Sequence, residues 1–251
     1  MRDFTFSIYR NLCNVLLERH TPTSILSYLK QSPEHAAIIR HDVDKKPQNA
    51  LIMAGIEQEL GISSTYYFRT VPESFNPHII EEIHNMGHEI GYHYEVLDKV
   101  KGDYERAIRL FEHELSLFPC PIRTICMHGN PMTPWDNRDL WKKYDYKQFG
   151  IAGEAYLSLD FSKIQYFSDT GRAWHDRYSV KDVTGKRNDR MTNISDTFDL
   201  VNYIHELSEP LCIVTHPQRW NDAIIPWTSE LFCQAIKNIG KSGIKLMREK
   251  R

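Results

Sequence analysis

Between Ala36 and Met127 the chain repeats one unit: a short apolar run, then a helix-length stretch whose apolar residues recur three and four positions apart. The runs are Ala36 to Ile39, Thr65 to Phe68, Glu89 to Tyr92 and Arg123 to Met127. One intervening helix is expected to start at Pro47, carry Leu51, Ala54, Ile56 and Leu60, and stop at Gly61. The next follows Asn76-Pro77 with Ile79, Ile80, Ile83 and Met86, and Gly87 ends it. The third follows a capping Asp103 and carries Ala107, Leu110, Phe111 and Leu115. Asp or Asn before the helix, Pro in its first turn and Gly at its exit are boundary signals with a known physical basis. A helix between each pair of strands rules out hairpins, so the strands pair in parallel.

The flanks are less regular. Residues 1–35 read as an N-terminal helical cap: Ile8, Leu12, Val15 and Leu16 at helical spacing, punctuation at Thr21-Pro22-Thr23, then a short helix with Ile25, Leu26 and Leu29. After Asp136 a short helix is expected over Asp139 to Tyr144, short antiparallel strands over Tyr156 to Phe167, and a helix over Asp196 to Leu207. Leu211 to Thr215 is a buried strand. The segment 221–251 holds a helix from Thr228 to Ile239, stopped by Gly240, and a basic tail. With no repeat, low-complexity segment or linker, the 251 residues read as one domain, a length that α/β barrels use in one piece.

Ionisable residues end the apolar runs. Asp42 and Asp44 close the first, Arg69 the second, His93 the third, His128 the fourth and His216 the last. Alone, an Asp-x-Asp is a turn or cap device. Four runs ending in Asp or His are harder to assign to chance, and in parallel α/β barrels the loops after strands build the site. Side chains alternate along a strand, so Arg40, Asp42 and Asp44 share a face. Carboxylate and imidazole donors together suit zinc, with cobalt, nickel, iron or manganese as alternatives. Such a cation acidifies a water and polarises a carbonyl while a nearby carboxylate takes the proton.

The five cysteines are scattered without a C-x-x-C pair, which supports neither a zinc ribbon nor a disulfide framework. A net charge of −2 gives no electrostatic case for nucleic acid or anionic membrane as a partner. No apolar stretch is long enough for a membrane span, and no signal peptide follows Met1-Arg2-Asp3, so the cytoplasm is the expected location.

Three segments carry a resemblance. His41-Asp42-Val43-Asp44, Gly87-His88-Glu89-Ile90-Gly91-Tyr92-His93 and Leu211-Cys212-Ile213-Val214-Thr215-His216 resemble motifs of the NodB-type polysaccharide deacetylases, carbohydrate esterase family 4. The similarity spans roughly residues 36–220. Arg40 with the first motif, Met127-His128-Gly129-Asn130-Pro131 and Thr170-Gly171-Arg172-Ala173-Trp174 resemble a divergent branch associated with bacterial surface-polysaccharide (O-antigen) gene clusters. The resemblance implies a distorted (β/α)7-type barrel that hydrolyses N-acetyl groups on sugars. It further implies Asp42 as base, Asp44 and His93 as metal ligands, and His216 as general acid.

Two positions depart from the family pattern. The second histidine ligand would fall on Leu97, which cannot bind metal; His128, Glu95 or Asp98 would replace it, His128 being favoured because it ends the adjacent strand. The arginine that normally orients the base is also missing. His128 stands there instead and could take that role, while Arg40 or Arg69 could hold Asp42 ionised. Arg69, Glu95, Arg172 and Trp174 complete the expected substrate contacts, with Trp174 either stacking on a sugar or buried. Arg172 and Asp176 would orient His216 or pair with each other, Gln218-Arg219-Trp220 could touch substrate, and His175 is the reserve acid. His88 reads as structural. The expected substrate is an N-acetylated sugar, free, nucleotide-linked or lipid-linked. The alternatives are a sugar-binding relative weakened by the loss at Leu97, and an amidohydrolase acting on a non-sugar amide.

Overall fold

The computed structural model describes residues 2–174 and 194–249, with the side chains of the last helix placed as far as Ile239. In chain order the elements are α1 (Phe6–Arg19), β1 (Thr21–Thr23), α2 (Ile25–Gln31), β2 (Ala36–Val43), α3 (Pro47–Glu59), β3 (Thr65–Phe68) and α4 (Pro77–Asn85). There follow β4 (Glu89–Tyr94), α5 (Val96–Lys99), α6 (Tyr104–Leu115), β5 (Thr124–Met127), α7 (Leu140–Lys143) and β6 (Gly153–Glu154). The chain continues with β7 (Gln165–Ser168), α8 (Thr197–Glu206), β8 (Leu211–Thr215) and α9 (Ile224–Glu249).

Every strand pair is parallel, in the order β6-β5-β4-β3-β2-β8-β7. The sheet curls into half a barrel flanked by helices, a distorted (β/α) barrel. β2 lies near its middle, and all eight of its residues are buried. Ala36 and Ile38 join one apolar core, with α2, α4 and α6, while Ala37 and Ile39 join another, with α1 and α8. A strand covered on both faces reads as a continuous apolar run, as Ala36 to Ile39 of β2 do.

Boundary residues behave as their chemistry requires. Asn76, Asp103 and Asp196 accept a backbone N–H in the first turns of α4, α6 and α8, a cap contributing about 1 kcal/mol. Gly61 and Gly87 follow α3 and α4 at φ +71° and +93°, where a side chain would strain the backbone. Gly91 matters for space: a Cβ there would fall 2.2 Å from the ring of Tyr67, whose hydroxyl crosses β4 to reach Thr124.

Three expectations are corrected. Thr21-Pro22-Thr23 is no mere punctuation but the strand β1, paired with Ala36 to Ile38 below the point where β3 joins β2. Proline is tolerated because its missing N–H falls at a sheet margin. Of the segment Tyr156 to Phe167, expected as short antiparallel strands, only the end is strand: β7 is parallel to β8, at the opposite margin of the sheet from β6, which precedes that segment. Gly240 does not stop the last helix, which runs on through Gly243 to Glu249; each interior glycine costs only about 1 kcal/mol.

Candidate metal and catalytic site

The sheet delivers its polar side chains to one rim. Asp42 pairs in register with Tyr67 on β3, and His93 with Cys126 on β5. His41 pairs with Thr215, which sets His216 level with Asp42. Arg69, Glu95, His128, Asp169 and His216 each immediately follow the last residue of a strand. Of these, Arg69, His128 and His216 line a cleft of about 680 Å³ with Asp42, Asp44 and His93, and Gln218, Arg219, Tyr156 and one face of α9 complete it.

Asp44 Oδ1 is the centre of one group. It lies 3.7 Å from His93 Nε2 and 3.5 Å from His128 Nε2, and although buried it has no hydrogen-bond partner. His93 Nδ1 donates to the carbonyl of Cys126 at 3.0 Å, a partner that fixes the proton on Nδ1 and leaves the Nε2 lone pair bare. His128 Nδ1 lies 2.9 Å from Glu95 Oε2, bent off the ideal hydrogen-bond line, and the carboxylate favours the same tautomer. Glu95 is gripped at both oxygens by Arg69, at 2.9 and 2.8 Å. Burial pushes Glu95 up, but His128 and Arg69 outweigh it and hold the carboxyl at about 2. The donor set is thus two bare imidazole nitrogens and an unpaired carboxylate oxygen. Tetrahedral bonds of about 2.0–2.1 Å place donor atoms roughly 3.3–3.4 Å apart, close to these separations.

A second group overlaps it. Asp42, His93 and Cys126, all buried, have ligand atoms within 4.8 Å of one another and could also bind a metal ion. Asp42 is less free to do so. Arg40, fully buried, donates Nε to Oδ1 at 2.9 Å and Nη2 to Oδ2 at 2.8 Å, and its charge opposes a dication alongside. Burial raises the Asp42 carboxyl, but Arg40, with His93, overrides it and holds the group well below the usual range. Asp44 is held at about 2: desolvation works against it, and His128, His216 and His93 prevail. His93 is brought down to about 4, chiefly by burial, so it is neutral at pH 7.

His216 faces this cluster from β8, directly beside β2. Its Nδ1 is 2.6 Å from Asp169 Oδ1, and its backbone N–H donates to Asp169 Oδ2 at 3.0 Å. Arg219 and Trp220 Nε1 also donate to this buried carboxylate. Burial pushes Asp169 up, yet Arg219 and His216 keep it below its ordinary value. Asp169 was missed in the sequence, although it ends β7 just as the other site residues end their strands.

The structure therefore brings together Asp42, Asp44, His93, His128 and His216, with Arg69 and Glu95 behind them. It separates others. Trp174 is 1% exposed, donates Nε1 to Thr197 and packs with Phe4 and Trp220, so it lies in the core and not in the cleft lining. Arg172 stacks on Phe4 and Trp227 and donates to the carbonyl of Arg219, bracing the loop after His216 instead of lining the cleft. Asp98 is engaged by Thr133 and Asn137, and Leu97 is core. Gln218 reaches Asp44 Oδ2 at 3.3 Å, whereas Trp220 is buried. His88 is buried against Ala54 and Ser64. His175 and Asp176 lie outside the described residues. The wall formed by α9, with Ser229, Glu230, Cys233, Gln234 and Lys237, was not expected. A scan against protein-family models and a search of curated proteins find no match for this chain.

Proposed function

We propose that the cleft is the active site of a metal-dependent hydrolase that removes the acetyl group from an N-acetylated sugar. The observation that carries this reading is the orphaned Asp44 Oδ1 between two bare imidazole nitrogens, with an ion-paired carboxylate one strand step away. Asp44, His93 and His128 would hold the cation, zinc by donor type, leaving room for water and substrate. When bound, the cation supplies Lewis acidity at the attacked carbonyl and lowers the pKa of a water.

The remaining work falls to this chain's own groups. Asp42, kept anionic by Arg40, accepts the proton of the attacking water at its cleft-facing carboxylate. His216, whose Nδ1–H points at Asp169, has Nε2 free to protonate the departing nitrogen. Glu95 and Arg69 act through His128 by setting its tautomer and orientation. Tyr156, at the cleft margin, accepts a hydrogen bond from Arg40 and carries the Arg40 and Arg138 guanidinium groups over its ring, so it helps hold the arginine that pairs with Asp42.

The test is acetate release, followed by proton NMR, from a panel of free and nucleotide-linked N-acetylhexosamines and N-acetylated oligosaccharides, with zinc-loaded protein. Release from one class, lost on chelation and in Asp42→Asn, is expected. Metal-loaded protein that releases no acetate from any member, or an undiminished rate in Asp42→Asn, overturns the proposal.

A further inference from the structure

Of the eleven large apolar residues that stand exposed among the described residues, six lie on α9: Ile224, Ile225, Leu231, Phe232, Ile236 and Ile239. Ile225, Phe232, Ile236 and Ile239 fall at intervals of seven, four and three, one stripe of a helix. They are 66–82% exposed with Ile224 included. The opposite face, through Glu230, Cys233, Gln234 and Lys237, borders the cleft. Among the described residues α9 is thus held by its polar side while its apolar side, as far as Ile239, stands exposed, and a stripe of this extent marks an interaction surface.

Charge selects the occupant. Residues 224–251 contain six lysines and arginines and two glutamates, a net of +4, so the other 223 residues carry −6 of the chain total of −2. The modest overall charge therefore conceals a basic C-terminal stretch, of which α9 itself carries +2, on an acidic remainder. A second copy could meet the stripe only with another α9, which would leave the basic charge of both copies without an anionic partner. The remaining exposed apolar residues, Leu17, Ile52, Leu117, Met132 and Leu157, fall on five separate segments and offer no matching stripe. An anionic lipid surface supplies both an apolar interior and the complementary charge. No helix among the described residues is long and apolar enough to cross a membrane, which leaves lying on the surface as the mode of contact. We propose that α9 docks this protein on anionic membranes, with Ile225, Phe232, Ile236 and Ile239 inserted at the acyl boundary. The cleft that α9 borders would then work at the membrane surface, where a lipid-linked substrate is presented.

The experiment is co-sedimentation of the full chain with vesicles of phosphatidylglycerol and phosphatidylcholine, against phosphatidylcholine alone, at low and high salt. Binding should be at least about tenfold tighter to the anionic vesicles and should weaken with salt. Phe232→Ser/Ile236→Ser, at exposed positions whose loss should leave the fold intact, and Lys241→Glu/Lys245→Glu should each reduce it about tenfold or more. Absence of binding to either vesicle overturns the proposal. So does a dimer in analytical ultracentrifugation that Phe232→Ser/Ile236→Ser converts to monomer without any vesicle binding, since the stripe would then be a self-interface.

Discussion

Replacing Arg40 by Met tests whether the pair on β2 is what keeps the base ionised. Arg40 is fully buried and gives two of its N–H groups to Asp42 and one to Tyr156. Methionine keeps most of the volume, so the main loss is electrostatic: a buried carboxylate without its cation, a change that costs about 3–5 kcal/mol. A ceiling follows from proton uptake. A carboxyl of ordinary pKa near 3.9 can be protonated at pH 7 for about 4 kcal/mol, so the penalty cannot much exceed that value. In a domain of this size the melting temperature should fall by about 6–16 °C. The sign of the pH dependence is diagnostic. In the wild type the depressed Asp42 contributes stability that is present above the unfolded pKa and is lost as pH falls. In Arg40→Met the folded state holds a proton that the unfolded chain lacks, so the deficit relative to wild type should shrink by about 1.4 kcal/mol for each pH unit below neutrality. Urea unfolding of chelator-treated wild type, Arg40→Met and Arg40→Met/Asp42→Asn at two pH values measures all of this. The double variant should recover most of the loss because no charge is left unpaired. A single-variant cost below about 1 kcal/mol, or a double variant no more stable than the single, would refute the reasoning.

Asp44→Ala and His128→Ala should each lose bound metal on dialysis while Cys126→Ser retains it, as read by mass-spectrometric metal analysis; equal metal in Asp44→Ala and wild type excludes Asp44 as a ligand. Asp42→Asn and His216→Ala should each lower turnover by about 10²–10⁴-fold with metal retained, and Asp169→Asn should resemble His216→Ala because the imidazole loses its fixed tautomer. The double change at Asp42 and His216 should cost less than the product of the two singles. Metal-free protein should lose stability as pH falls from about 6.5 to about 4. Over that range the unfolded chain protonates His93 while the folded chain, with His93 brought down to about 4, does not, a difference of roughly 3 kcal/mol. A flat profile across this window, or one unchanged in His93→Asn, would exclude His93 as the cause.

The parallel core was legible because strands buried on both faces are apolar without interruption and their helices carry caps. β1 and β6 were not, since three and two residues cannot display a period. The site was legible where an ionisable side chain closes such a run, as at Asp42, Asp44, His93, His128 and His216. Asp169 closes one too, but β7 is only partly buried, and the strand expected there ends at Phe167, two residues short of Asp169. Which guanidinium holds Asp42 depended on side-chain reach: Arg40 folds back along its own strand, whereas Arg69 turns to Glu95. Trp174 illustrates a general ambiguity, because an indole suited to stacking on a sugar is equally suited to a core.

β2 carries polar groups on both faces. While Asp42 looks into the cleft with the buried Arg40 on the same face of the strand, His41 points the other way, bonded to Glu57 at 2.9 Å and Thr215 at 2.6 Å and stacked on Tyr66. Glu57, itself fully buried, also takes hydrogen bonds from Tyr9, Ser64 and Tyr66. A slip of the strand by one position would turn His41 toward the cleft and press an arginine and an aspartate into the apolar layer behind it. Both errors are penalised together, so neighbouring alignments are excluded from either side of the sheet. Placement of Asp42 and Asp44 is thus enforced by a polar cluster that never meets the cleft. Substitutions at Tyr9, Glu57 or Ser64 should therefore appear as heterogeneous strand alignment and slow, error-prone folding before they appear as altered chemistry.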